Sequence, residues 1–97
     1  MKHLYRIILK GYIEVPDCDI AAVKEALPRH IELTRQEQGC LVFEVSQDEE
    51  VSNRFNVYEE FIDRHSFSFH QDRVRKSTWG AVSANVERHY QIMEVEY

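Results

Sequence analysis

The chain has 97 residues, of which 43% are hydrophobic and 30% are charged, so a single folded domain over residues 1–97 is expected. Its formal net charge of -5 disfavours a nucleic-acid-binding protein, which needs a basic surface to displace counterions from phosphate. Two cysteines without metal-type spacing, and no signal peptide or membrane-spanning apolar run, favour a cytoplasmic protein over a secreted or membrane-bound one.

A strand and a long helix are predicted for the first third of the chain. Residues 4–15 alternate loosely and are rich in β-branched and aromatic side chains, which is typical of a strand. Asp17 and Asp19 are candidate N-caps for the helix that follows. Its inner stripe has helical spacing and comprises Ile20, Val23, Leu27, His30 or Ile31, and Thr34. Pro28 should kink this helix or split it in two, and Gly39 should end it as a left-handed C-cap.

Two strands joined by a polar turn are predicted for the middle of the chain. Residues 40–46 form the first of them, with Leu41, Phe43 and Val45 on one face. Residues 54–60 form the other, and the alternation separates two sets: Phe55, Val57 and Glu59 on one face, and Asn56, Tyr58 and Glu60 on the other. Because the connection is short and polar, the two strands should form an antiparallel hairpin.

The last third of the chain predicts a second helix, a short helical turn and a fourth strand. Asp63 can cap the helix, whose inner stripe carries Phe67, His70 and Val74, and Ser77 can cap the turn. Residues 86–95 alternate again as a strand. The order β-α-β-β-α-β indicates an α+β, ferredoxin-like fold with helices on one face of an antiparallel four-stranded sheet.

Glu59 is a carboxylate on the predicted inner face of the third strand. If it points inward it must be paired, hydrogen-bonded or protonated, because burying a lone charge is costly. The alternative is that Glu59 lies at the strand end, where it meets solvent or caps the next helix.

Two histidines lie on inner helix stripes. An imidazole titrates near neutral pH and can accept or donate a proton, so His70 is a candidate acid or base. A lone histidine on an apolar helix face is nevertheless more often a core residue. The same two interpretations hold, more weakly, for His30.

Arg35 and Trp79 also have two interpretations each. Arg35 could contact an anionic ligand, but a surface ion pair is favoured. Trp79, the only tryptophan, could form the wall of a pocket, but core filling is favoured. No metal, flavin, nicotinamide or nucleotide cofactor is expected, because no ligand cluster or glycine-rich phosphate loop occurs, and His65 and His70 do not share a helix face.

Nearly the whole chain resembles the antibiotic-biosynthesis-monooxygenase domain of the dimeric α+β barrel superfamily. The matching stretches are His30-Ile-Glu-Leu-Thr-Arg35, Glu37-Gln-Gly-Cys-Leu-Val-Phe43 and Phe55-Asn-Val-Tyr-Glu-Glu-Phe-Ile-Asp63, followed by His70 and Trp79. Their order and spacing carry the resemblance together, because no single stretch is diagnostic. The family often has tryptophan where this chain has Phe61.

The resemblance implies a pocket between helices and sheet in which a small phenolic or quinol compound is oxidised by O2 without a cofactor. It implies His70 as the base and Glu59 as the group that orients it or binds a substrate hydroxyl. His30, Thr34 and Trp79 are then candidates for the pocket wall. Haem degradation, known in the same superfamily, is disfavoured because the first strand lacks asparagine.

Two other functions stay open at this point. An isomerase of a small phosphorylated carbonyl metabolite would use Arg35 or the cluster of Arg73, Arg75 and Lys76 to bind phosphate. A non-catalytic module would bind small aromatics without turnover. The resemblance also implies a homodimer, which we expect to form through the uncovered sheet face bearing Glu44, Asn56 and Tyr58.

Overall fold

A computed structural model describes residues 4–96 and has the predicted order of elements. Four strands form an antiparallel sheet of order β2-β3-β1-β4: β1 (Tyr5–Glu14), β2 (Cys40–Gln47), β3 (Arg54–Phe61) and β4 (Glu87–Glu96). One face is covered by three helices: α1 (Ile20–Arg35), α2 (Arg64–Arg75) and α3 (Thr78–Val82). The predicted ferredoxin-like α+β fold is therefore confirmed. Within the described range, no helix is long and apolar enough to cross a membrane.

The covered face of the sheet holds two separate apolar clusters. One packs α1 and α3 against the sheet and contains Ile13, Val15, Val23, Phe55, Trp79 and Val86. The other lies under α2 and contains Ile7, Leu9, Val57, Phe61 and Phe67. The hydrophobic residues of both clusters are less than a tenth exposed, and each fully buried side chain of this size contributes roughly 1.5–3 kcal/mol to folding.

The predicted caps of α2 and α3 are confirmed. The Asp63 carboxylate accepts a hydrogen bond from the Ser66 N–H at 2.7 Å, and the Ser77 hydroxyl accepts one from the Gly80 N–H at 3.1 Å. The predicted capping of α1 by Asp17 or Asp19 is wrong, because neither side chain binds the helix terminus. A short 3₁₀ turn over Asp17–Asp19 leads into α1, so Asp19 has helical dihedrals where a capping residue needs an extended backbone.

Two further predictions about α1 are wrong in part. The helix is not split at Pro28 but continues from Ile20 to Arg35. Pro28 has no N–H to donate to the Lys24 carbonyl, so the helix lacks that one hydrogen bond. Both residues are exposed, so the loss falls on the solvent side of the helix. Gly39 does not adopt the left-handed conformation. Glycine is required at this position because a Cβ there would lie 2.0 Å from the Ser66 Oγ. Without a Cβ, the loop before β2 can approach α2 closely.

The predicted faces of β2 are only partly correct. Phe43 is buried and Val45 is half-buried, but Leu41 is 47% exposed. The pairing of β2 with β3 shifts between Cys40 and Val42, and such a bulge reverses the side-chain alternation on one side of it. Cys40 therefore packs against the core in place of Leu41.

Candidate functional site

A cavity of about 380 Å³ lies between the inner face of the sheet and the helices. Members of both apolar clusters line it, including Leu9, Ile13, Val57, Trp79 and Val86. Its polar lining consists of His30, Glu59, His70, Gln71, Ser83 and Tyr90, together with Arg75 and Arg88. A cavity of this size, in which polar groups converge among apolar and aromatic side chains, is typical of a small-molecule site.

His70 is held in one orientation by a buried carboxylate. Its Nδ1 lies 3.1 Å from Oε2 and 3.2 Å from Oε1 of Glu37, and both side chains are less than a tenth exposed. Because a carboxylate only accepts hydrogen bonds, Nδ1 must carry the proton and donate it. Nε2 of the neutral ring is then left with a free lone pair on the opposite side.

Arg73 holds Glu37 in turn. Its Nε donates to Glu37 Oε1, and its Nη2 donates to Thr34 Oγ1 at 3.0 Å. Thr34 donates its own hydroxyl proton to the His30 carbonyl at 2.8 Å. The α1–β2 loop, α1 and α2 are therefore joined behind His70 by one hydrogen-bonded chain, which limits the rotation of its ring.

Glu59 points inward from β3, and the alternative of a solvent-exposed strand end is excluded. The residue is 6% exposed, and its Oε1 lies 3.8 Å from Nε2 of His70, beyond hydrogen-bond length. Burial, followed by repulsion from Glu37, raises its pKa from 4.5 to about 8, so Glu59 is a neutral carboxylic acid at pH 7. Its Oε1 has no hydrogen-bond partner among residues 4–96.

His30 and Trp79 form a stacked pair in the wall of the cavity. Their ring centroids lie 4.6 Å apart with an interplanar angle of 5°, and the Phe43 ring meets His30 edge-on at 5.2 Å. Burial, followed by electrostatic repulsion from Arg73 and from His70 when that ring is protonated, lowers the pKa of His30 from 6.5 to about 3. His30 is therefore neutral, and its Nδ1 has no hydrogen-bond partner within the described residues.

The other two titratable groups of the inner wall are neutral as well. Burial lowers the pKa of His70, and the neighbouring Glu37 offsets part of that effect. Burial, followed by repulsion from Glu59, raises the pKa of Tyr90 to about 12. Near pH 7 the interior of the cavity thus holds a base, His70, close to a carboxylic acid, Glu59, and neither is charged.

The structure brings four of the six predicted site residues together and leaves two outside the cavity. His70, Glu59, His30 and Trp79 all line it. Trp79 also belongs to the apolar core, so both interpretations of this residue hold. Thr34 is fully buried behind His30. Arg35 forms no surface ion pair within residues 4–96 but donates to the Phe43 carbonyl at 2.8 and 3.1 Å.

Glu37 is the site residue that the sequence reasoning missed. It lies in the loop after α1, where no periodicity distinguishes an inward from an outward side chain. The only available signal was its position in the stretch that begins Glu37-Gln-Gly-Cys. Tyr90 and Ser83 were missed as well: the weak alternation of β4 does not show that Tyr90 faces a cavity, and Ser83 lies just after α3, beyond the last residue of that short helix.

No cluster of three or more His, Cys, Asp or Glu side chains suited to a metal ion occurs in the described part of the chain. Two arginines of the cluster that was predicted to bind phosphate already form ion pairs within the protein: Arg73 with Glu37, and Arg75 with Asp72. The arginine cluster proposed as a phosphate anchor is therefore largely neutralised within the protein.

The profile of the antibiotic biosynthesis monooxygenase (ABM) family matches residues 6–78. The chain belongs to this family. No curated protein matches it at a significant level. Among solved structures, it is similar to a provisionally named ABM protein from Nitrosomonas europaea, with 23% identity over 100% of this chain and 92% of that one and a TM-score of 0.73.

Two other structures extend the comparison of the ABM fold. A provisionally named ABM protein from Deinococcus radiodurans has 24% identity over 94% of this chain and 91% of its own, with a TM-score of 0.72. A conserved protein from Methanosarcina mazei has 20% identity over 95% and 91%, with a TM-score of 0.68. At these identities the likeness shows the fold alone.

Proposed function

We propose that this ABM-family protein is a cofactor-independent monooxygenase that oxidises a small phenolic or quinol compound with O2. The observation that carries the proposal is the pair formed by His70 and Glu59 in an aromatic-walled cavity. Nε2 of His70 faces Glu59 Oε1 at 3.8 Å, which leaves room for a substrate hydroxyl to contact both atoms. The family and the names of the similar structures support a monooxygenase.

His70 serves as the base. It is neutral at pH 7, and the hydrogen bond from Nδ1 to Glu37 directs the lone pair of Nε2 away from the carboxylate. As Nε2 takes the phenolic proton, the growing positive charge of the ring is stabilised by Glu37, which is an interaction stronger in the transition state than before it.

The reaction balances without a cofactor. A phenol with a free para C–H and one O2 give a para-quinone and one water. Proton loss to His70 makes the phenolate electron-rich enough to pass one electron to O2, and the two radicals then combine at the para carbon. Protonation of the peroxide, loss of the para proton and cleavage of the O–O bond release the second oxygen as water. All four electrons come from the substrate.

Glu59 supplies a hydrogen-bond donor and a proton. As a carboxylic acid it can hold the substrate oxygen beside Nε2 and protonate the peroxide, after which His70 returns the proton. His30 Nδ1 and Glu59 Oε1 are buried polar atoms without partners among residues 4–96, and each such atom costs about 1–3 kcal/mol. A bound ligand with two oxygen functions would satisfy both.

The test uses 1-naphthol and ¹⁸O₂. We expect O2 uptake above the uncatalysed rate and one labelled oxygen in the product 1,4-naphthoquinone. His70→Gln should lower kcat/KM by roughly 10²–10⁴-fold. The wild-type kcat/KM should rise with pH through a midpoint below 6.5, because burial lowers the pKa of His70, and should fall again near pH 8, where Glu59 loses its proton.

The matched control is His65→Gln, which changes an exposed histidine of the same helix. A folded His70→Gln variant that turns over at the wild-type rate would refute the role of His70. Binding of naphthols without any O2 uptake would instead leave a non-catalytic binding module, and turnover of phosphorylated carbonyl compounds would leave an isomerase.

A further inference from the structure

We infer that the cavity selects an aromatic substrate that carries a carboxylate at the end remote from its reacting hydroxyl, and that Arg88 recognises this carboxylate. The inference rests on the proposed function only for the identity of the reacting end. It concerns the opposite end of the same cavity, where no catalytic group lies.

The charge within the cavity is opposite to that of the whole chain. The formal net charge of the protein is -5, yet the only lining residues charged near pH 7 are Arg75 and Arg88. The acid Glu59 and the phenol Tyr90 hold their protons, and both histidines are neutral. A negatively charged ligand group is therefore attracted to the end of the cavity that holds the arginines.

Arg88 is the more available of the two arginines. Arg75 pairs with Asp72 and is mostly exposed. Within residues 4–96, Arg88 forms no ion pair with a carboxylate; its Nη2 donates to the Ser83 carbonyl at 3.3 Å, and its side chain also hydrogen-bonds the neutral phenol of Tyr90. These contacts place the guanidinium beside the end of α3 and leave its remaining N–H donors for a planar carboxylate, which suits the forked geometry of arginine.

The register of the sheet gives the distance between the two ends. Arg88 lies opposite Ile13 on β1, whereas Glu59 lies opposite Leu9, four residues back along the same strand and on its other side. Strand spacing and rise per residue then separate the two Cα atoms by about 16 Å. The Arg and Glu side chains take up part of this span, and the remaining gap suits two fused aromatic rings.

The site is thus asymmetric in charge. At one end a neutral acid and a neutral base handle a hydroxyl, and at the other a guanidinium binds an anion. An aromatic with hydroxyl and carboxylate on neighbouring carbons would satisfy only one end, whereas a ligand with the two groups at opposite ends would satisfy both.

The test measures binding of three compounds by calorimetry at pH 7 and low salt, in the absence of turnover. These are 6-hydroxy-2-naphthoate, its isomer 1-hydroxy-2-naphthoate, and 2-naphthol, which lacks the carboxylate. We expect 6-hydroxy-2-naphthoate to bind about tenfold more tightly than either of the others, an advantage that weakens with added salt. Arg88→Gln should remove the advantage.

Lys24→Gln is the matched control, since it removes one positive charge from an exposed position of α1 that does not line the cavity. This variant should keep the full preference. Equal affinity of wild-type protein for 6-hydroxy-2-naphthoate and 2-naphthol would overturn the inference, as would a preference that survives in a folded Arg88→Gln variant. If the protein shows this preference but takes up no O2 with 1-naphthol, the proposed oxidation is refuted and the carboxylate site stands.

Discussion

Glu59 should make the stability of the protein fall as pH rises through a defined window. Its pKa is about 8 in the folded protein and near 4.5 when exposed, so between these values only the folded state keeps the proton. The free energy of unfolding then falls by about 1.4 kcal/mol for each pH unit in this window. Gln is neutral throughout, so urea denaturation should show Glu59→Gln gaining several kcal/mol relative to wild type between pH 5 and 8.

The control for this prediction is Glu25→Gln, at an exposed position of α1. His30 has the opposite effect, since its pKa of about 3 makes stability rise with pH up to about 6.5. That contribution is the same in wild type and in Glu59→Gln, so it cancels in the difference between their free energies of unfolding. A difference between Glu59→Gln and wild type that is constant with pH would mean that Glu59 is ionised in the folded protein.

Individual residues were predictable where a regular element fixes the direction of the side chain. The period of two in β3 placed Glu59 on the inner face, and the helical period of α2 did the same for His70. Neither pattern could show that the two meet at 3.8 Å, because that depends on how α2 packs on the sheet. The role of Glu37 was not predictable from periodicity, since its contacts with His70 and Arg73 join a loop to a helix more than 30 positions away.

At the scale of the element, the Asp63 cap should be worth measurable stability. Its carboxylate satisfies the Ser66 N–H, and the hydrogen bond from that N–H holds the pKa of Asp63 below its usual range. Asp63→Ala should therefore destabilise the protein by about 1 kcal/mol in urea denaturation at pH 7. Asp19→Ala is the matched control, because Asp19 occupies the N-cap position of α1 without binding the helix terminus. Equal losses for the two variants would contradict this account.

The elements were predicted well where the determinants are local and less well where they are not. Caps such as Asp63 and Ser77 act within three residues, so the sequence shows them directly. Pro28 did not divide α1, because packing of the buried stripe on both sides of it holds one continuous helix. The exposure of Leu41 follows from a bulge in the pairing of β2 with β3, and a single strand's sequence does not show the register of its partner.

At the scale of the whole molecule, we expect two copies to pair through the sheet face bearing Glu44, Asn56 and Tyr58. The helices cover only the other face, and a chain of this size gains stability by burying more surface. Light scattering at micromolar concentration should give twice the 11.6 kDa mass of one chain. Tyr58→Lys, which places charge on this face, should shift the protein toward the monomer.

Phe69→Lys is the control for the pairing prediction, because Phe69 is 58% exposed on α2, on the helical side of the sheet. This variant should keep the wild-type mass. A wild-type protein that scatters as a monomer would rule out the pairing, and a loss of mass in Phe69→Lys alone would move the interface to the helices.

The order of strands in the sheet also has a consequence for how the protein is made. β1 is synthesised first but lies in the middle of the sheet, between β3 and β4. Its apolar residues, including Ile7, Leu9 and Ile13, therefore stay unpaired until β3 and β4, which both begin after residue 53, have been translated. Pairing over such long separations is slow, and an unpaired apolar strand is prone to aggregate. During translation the nascent chain should thus depend on chaperones until β3 and then β4 have been made.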